Sequence, residues 1–458
     1  MKGFDESKFE SFVFEKMSKG KIPGLSVVLV KDGELIYSRG FGFRDVERGL
    51  EATPNTIYGI GSVTKSFTAL AIMQLVEEGK LNLEDPLEKY LPLKMRPKDE
   101  PIRIVNLLTH SSGIPALGYA EAFIRNVIGE EATWIPMASY EDMLAFLSGA
   151  EEWAEAKPGL KFFYLNEGYV LLGYIVEKVS GMRYEDYVKR KILSPLNMNR
   201  SYFSEEEVGK DPEVAVPYLL TKDGKRVRSA YPFGITADGG LLSNVLDLSR
   251  YLTMYLNRGS YGEAQLLSKE GIEEMEKPRI EVPYRLLGNE SYGLGWIITP
   301  NFLGHKLVGH SGSVLVSTAY AGYLPGPRIG VAVLANSSGY SLSHIGAYAL
   351  ALALGKDPER ALPFIKRERI MERLTGRYEA YKGTIRAEVV QRGAMLYLEI
   401  KGKYTELIIP LVPEELSEEY ARFKVPQLTG WLEAEFKING EEVTLIYERY
   451  KLKRVGPI

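Results

Sequence analysis

The sequence predicts an α+β domain over residues 1–355, a linker over 356–370 and a small all-β antiparallel barrel over 371–458. Three observations lead there. Strand-like segments stand at both ends of the first 355 residues with helical segments between them. A charge-rich stretch, Lys356 to Arg369, follows Gly355 and reads as a linker or bridging helix. Beyond Gly376 the apolar residues alternate singly and Gly-containing turns divide them.

Leu25–Lys31, Asp32-Gly33 and Glu34–Gly42 read as a β-hairpin that opens a sheet. From Ser62 to Glu78 the residues Val63, Phe67, Leu70, Ala71 and Leu75 recur at helical spacing, and Gly79 is a natural stop. Further helices are predicted over Glu167–Ser180, closed by Gly181, over Tyr184–Leu193, stopped before Pro195, and over Leu246–Asn257. Strands follow at Tyr292–Thr299, Lys306–Gly309, Ser317–Leu324 and Gly330–Ala335. Pro325-Gly326-Pro327 turns the chain between the last two, and Leu342–Leu354 returns to helix. The sheet is therefore closed by distant segments. In the C-terminal part, Met395–Ile400 alternates strictly. Turns stand at Arg392-Gly393, Lys401-Gly402 and Asn439-Gly440, and Trp431, Phe436, Tyr447 and Tyr450 are read as barrel-filling aromatics.

Composition removes several functions. Lys and Arg number 57 against 60 Asp and Glu, a net charge of −3, so no global field draws the chain to nucleic acid or to anionic membranes. Cysteine is absent, which excludes disulfides, thiol catalysis and thiolate metal sites. The four histidines, His110, His305, His310 and His344, have no zinc-binding spacing, and neither a metal nor a cofactor is expected. Met1–Glu10 lacks a basic-then-apolar pattern, so a cytoplasmic location is expected. Missing Cys, scarce Gln (Gln74, Gln265, Gln391, Gln427) and abundant Glu, Lys and Arg point to heat adaptation.

Ser62 opens a predicted helix and Lys65 lies one turn on, facing the same side. A serine there sits at the positive end of the helix dipole, and an adjacent amine can take its proton. Taken alone the pair reads as a helix cap followed by a surface lysine, and Ser18-Lys19-Gly20-Lys21 repeats the pattern. Tyr164 and Asn166 could supply a phenol acting as base, if a nearby ammonium lowers its pKa, and an orienting amide. Tyr255-Leu256-Asn257 has the same spacing. His310-Ser311-Gly312 follows an apolar strand, and its glycine would let a substrate backbone approach closely; His344-Ile345-Gly346 matches it inside a predicted helix.

Only Ser62/Lys65, Tyr164/Asn166 and His310/Gly312 fall in the order helix start, loop before helix, strand. Leu107-Leu108-Thr109-His110-Ser111-Ser112-Gly113-Ile114 and Asp238-Gly239-Gly240-Leu241-Leu242-Ser243 accompany them. This set resembles the serine β-lactamase and penicillin-binding-protein superfamily, and within it the class C-like, or CubicO-type, peptidases and esterases. The resemblance covers nearly all of Gly24–Gly355 and implies a β-lactamase/transpeptidase-like domain. It implies that Ser62 forms an acyl-enzyme, that Lys65 and Tyr164 handle the protons and that Asn166 holds the substrate amide. The N–H groups of Ser62 and Ser313 would form the oxyanion hole. His110 is left to a structural role.

Members of the superfamily that act on β-lactams or cell-wall peptides usually carry lysine where His310 stands. A histidine there implies a hydrogen bond to substrate at neutral pH in place of a permanent cation, which argues against β-lactamase activity. The function expected is hydrolysis of short peptides, D-residue-containing ones among them, since similar D-peptidases join this fold to β-barrels. Alternatives are a carboxylesterase or acyl transferase, and a non-catalytic sensor. Substrate choice is placed in Pro115–Lys157, with Tyr119, Phe123, Trp134 and Trp153. The lipocalin-like barrel is expected to be filled by side chains and to gate the site or support a homo-oligomer.

Overall fold

The computed structural model describes residues 4–129, 139–234, 236–404 and 406–458. The chain divides into two compact units, Met1–Lys356 and Asp357–Ile458.

Among the described residues of the first unit, nine strands form one antiparallel sheet. Its order is Ile280–Glu281, Ser291–Tyr292, Ile297–Phe302, His305–Ser313, Thr318–Leu324, Ile329–Ala335, Gly24–Lys31, Glu34–Asp45 and Leu50–Glu51. The first long strand thus pairs with the last, Leu25 opposite Ala335 through Lys31 opposite Ile329. The opening hairpin turns on Asp32 and Gly33, both at positive φ, 54° and 90°. This is the backbone of the tight hairpin turn whose twist matches its strands. Val27, Val28, Leu29, Val331, Ala332 and Val333 are wholly buried, and the helices Val245–Leu256 and Leu342–Ala353 pack against these strands.

Tyr292–Thr299, read as one strand, is a hairpin: Tyr292 pairs with Ile297 and the chain reverses over Gly293–Trp296. Gly295, at φ 74°, permits the reversal. The Tyr184–Leu193 helix begins as α-helix at Tyr184–Val188 and widens to a π turn at Lys189–Leu193. A helix at Glu6–Gly20 escaped the sequence reading because charges break its apolar stripe; Asp5 caps it and Phe9, Phe12, Val13 and Met17 are buried.

The helix Thr64–Glu77 lies in the core, buried at every position from Thr64 to Leu75. It packs against the helix Asn166–Ser180, which ends at Gly181 in the left-handed region.

In the second unit, the stretch read as a linker or bridging helix forms the helices Pro358–Ala361 and Pro363–Leu374. Ile370, Met371 and Leu374 share one apolar cluster with barrel residues. Among the described residues, eight strands from Gly376–Glu379 to Tyr450–Gly456 close into an antiparallel barrel. Leu396, Leu411, Phe423, Phe436 and Leu445 fill that cluster. Phe436 and Tyr447 are buried as expected, but Trp431 is 59% exposed. Inward positions of its strand are the even-numbered Ala434, Phe436 and Ile438, so odd-numbered Trp431 points outward. Among the described residues no helix is long and apolar enough to cross a membrane.

Candidate active site

Ser62 sits in the 3-10 turn Gly61–Val63 that leads into the Thr64–Glu77 helix. Lys65, on the first turn of that helix, is wholly buried. Its Nζ lies 3.1 Å from Ser62 Oγ, 2.8 Å from Asn166 Oδ1 and 2.6 Å from the backbone O of Asp238. Burial pushes its pKa down to about 8 from 10.5, against the opposing pull of the Asp238, Glu167 and Glu121 carboxylates. Two of its three partners can only accept hydrogen bonds, while the third is a hydroxyl. A neutral amine satisfies all three by donating to Asn166 and Asp238 and accepting from Ser62.

Tyr164 precedes the Asn166–Ser180 helix, with Lys65 Nζ 4.9 Å from its ring centroid. Burial raises its pKa, and a hydrogen bond with Ser62 opposes the rise. The ammonium-lowered phenol expected from sequence is therefore replaced by one that stays protonated over the working range.

Gly312 makes room for the protein's own backbone. A Cβ there would lie 1.9 Å from Ile60 O and 2.9 Å from Ser62 N. Reciprocally, a Cβ on Gly61, which has φ 51°, would lie 2.6 Å from Ser313 N. The expectation that Gly312 admits a substrate backbone gives way to this: it seats the serine turn against the strand. The backbones at Ser62 and Ser313 are thereby brought together, and the Ser313 side chain is exposed.

His310 is 3% exposed. Its Nδ1 is 2.6 Å from Ser311 O and its Nε2 2.8 Å from the Tyr292 hydroxyl. A carbonyl only accepts, so Nδ1 carries the proton and Tyr292 donates to Nε2. Burial, and then Lys65, push its pKa down to about 3. Both nitrogens are engaged within the protein, so the ring offers substrate neither a cation nor a hydrogen bond, in place of the hydrogen bond expected from sequence.

A cavity of about 520 Å³ opens over this group. Ser62, Tyr164, Asn166, His310, Gly312 and Ser313 line it. The Pro115–Lys157 segment contributes Ala120, Glu121, Ile124 and Arg125 from the helix Tyr119–Val127. Of the aromatics singled out there, Tyr119 is buried, Trp153 is 71% exposed and Trp134 lies outside the described residues. Phe123 is half-buried; it stands where a Cβ on Gly234 would fall, 2.5 Å away. Tyr284, Leu286, Ile297, Val314 and Leu315 complete apolar walls that no local pattern announced. Asp238, whose carbonyl receives Lys65, lay in a noticed motif without an assigned role, and Tyr292 had no signal at all.

The fold and this constellation define the class: the chain belongs to the Beta-lactamase family, in the superfamily of serine hydrolases that share its fold. The family profile matches residues 9–355. A second profile, the Pab87 octamerisation domain, matches residues 358–453. Among solved structures, the octameric penicillin-binding protein homologue from Pyrococcus abyssi is 56% identical with a TM-score of 0.95, covering 98% of this chain and 100% of its own. Protein flp of Staphylococcus aureus (strain N315) is 28% identical over 336 residues, 72% of this chain. That match spans 63% of the Staphylococcus protein's length. A putative D-alanyl-D-alanine carboxypeptidase of Escherichia coli (strain K12) is 27% identical over 319 residues, 61% of this chain and 69% of its own.

Proposed function

We propose that the protein hydrolyses short peptides, those containing D-residues among them, through an acyl-enzyme on Ser62. The observation that carries this reading is the wiring of Lys65: a desolvated amine with pKa near 8, its Nζ 3.1 Å from the Ser62 hydroxyl, from which its neutral form can accept the proton. Ser62 Oγ bonds to the substrate carbonyl carbon as its proton passes to Lys65 Nζ. The oxyanion lies between the N–H groups of Ser62 and Ser313, and the Asn166 amide N–H₂ binds the acyl-side carbonyl. Tyr164, protonated and hydrogen-bonded to Ser62, gives its proton to the leaving amine and recovers one from Lys65. Water then attacks the ester, and the proton path runs in reverse.

The E. coli relative's name and the apolar cavity support a peptide substrate. The neutral His310 supports uncharged amides over substrates that need their carboxylate gripped. It equally favours esters, which makes a carboxylesterase the second reading. Self-association through residues 357–458 is supported by the Pab87 octamerisation match, by the octameric relative and by the exposed barrel residues Tyr404, Leu407, Ile408, Leu428 and Trp431.

Ser62→Ala is expected to keep the fold and abolish turnover, and a fluorophosphonate to add its mass to the peptide containing Ser62. Labelling at Ser18 or Ser111 would overturn the assignment. Parallel rates on L-peptide, D-peptide, p-nitrophenyl ester and β-lactam substrates separate the two readings.

A further inference from the structure

His110 takes no part in the proton path above, yet it is tied to Tyr164 from both sides. Its ring Nδ1 accepts the backbone N–H of Leu165 at 3.0 Å, and its backbone O accepts that of Phe163 at 2.8 Å. One residue therefore holds the N–H groups of both residues that flank Tyr164. The imidazole also stacks on the Tyr164 ring, centroids 4.1 Å apart and planes 29° from parallel. The neighbouring chain follows the same path: Ser111 O accepts from Gly159 N–H at 2.7 Å and Gly113 O from Glu155 N–H at 2.9 Å. The loop that carries Tyr164 is thus hung on residues 110–113.

The position carries two local costs. His110 has φ 55°, in the left-handed region that non-glycine residues adopt uncommonly, asparagine, aspartate and histidine most often among them. Because Nδ1 accepts, the proton sits on Nε2, and that buried atom has no hydrogen-bond partner among the described residues. A phenylalanine would remove the orphan donor but could not receive the Leu165 N–H. An asparagine would suit the backbone and could receive it, but offers no face to Tyr164. Histidine supplies the acceptor and the flat face at once.

From this geometry we infer that His110 is the positioning residue for Tyr164, setting the phenol's reach toward Ser62; the inference rests on the proton path proposed for Tyr164. His110 is no proton shuttle. Burial, then proximity to Lys65 and to His310, holds its pKa well below the usual histidine range, so the ring stays neutral in one tautomer.

The test is a double-mutant cycle in the full chain, reading the acylation rate on D-alanine p-nitroanilide, whose leaving amine needs a proton, and the melting temperature of each variant. Tyr164→Phe is expected to slow acylation about a hundredfold. His110→Phe and His110→Asn are each expected to slow it about tenfold or more, and each double variant to stay within about threefold of Tyr164→Phe alone. The pH midpoint set by Lys65 should not move in the His110 variants. If the His110 and Tyr164 losses multiply, or if both His110 variants acylate normally, the inference fails while the proposed function stands. If Tyr164→Phe itself acylates at the wild-type rate, the role proposed for Tyr164 falls and this inference with it. Should His110→Phe fail to fold, the His110→Asn cycle, whose backbone preference suits φ 55°, decides.

Discussion

Lys65 shows how one side chain's surroundings set a reaction's pH dependence. A fall from 10.5 to about 8 corresponds to about 3 kcal/mol of preference for the neutral amine relative to water. The base must be unprotonated to receive the Ser62 proton, so kcat/KM is expected to rise with pH to a midpoint near 8 and then level off. A midpoint near 10.5 would mean that Lys65 is solvated and is not the base. His310, with its pKa near 3, should add no limb between pH 5 and 9. The charge of Lys65 already lowers the pKa of His310, so the two groups feel each other. Changing His310→Lys places a second ammonium there and should move the Lys65 midpoint below that of the wild type in the same titration. An unmoved midpoint would place the new amine away from Lys65.

Where an element begins decides whether a motif can act. Ser18-Lys19-Gly20-Lys21 has the spacing of Ser62/Lys65 but stands at the C-terminal end of the Glu6–Gly20 helix, where the dipole disfavours negative charge. Tyr255 lies inside the Val245–Leu256 helix, packed edge-on against Trp296. His344 lies within Leu342–Ala353. Ser62 differs because the strand His305–Ser313 comes against its turn, and two glycines allow the approach. Gly312→Ala is therefore expected to cost about 1–3 kcal/mol of stability, as overpacking does, and to slow fluorophosphonate labelling of Ser62. Unchanged melting together with unchanged labelling would show that the strand and turn can separate at no cost.

Each unit has an apolar core of its own. The sheet of the first unit is completed by Gly24–Lys31 pairing with Ile329–Ala335, and the barrel closes on itself. A chain truncated after Lys356 is expected to fold and to label at Ser62. The full chain should scatter light as an oligomer and the truncated one as a smaller species. A truncated chain that keeps the full subunit number would locate the association surface in residues 1–356. One that folds but no longer labels would mean that the barrel completes the catalytic site.

Much of this protein is legible locally. Turn glycines, the 3.6-residue stripe after Ser62, the alternation after Gly376 and the order of three short motifs follow from short-range rules, since backbone conformation and side-chain direction depend on near neighbours. The Glu6–Gly20 helix and the Tyr292 hairpin were missed where charges interrupted a stripe and where two glycines sat inside an apolar run. What no window of sequence contains is proximity. Lys65 meets Asn166 across 101 residues and Asp238 across 173. The burial that accompanies such contacts lowers the lysine and holds Tyr164 protonated, and the fold brings the Tyr292 hydroxyl onto Nε2 of His310. The residue types were set by the sequence, but protonation and hydrogen-bond roles depend on desolvation and distance. Those quantities exist only once the sheet has closed and the serine turn rests against Gly312.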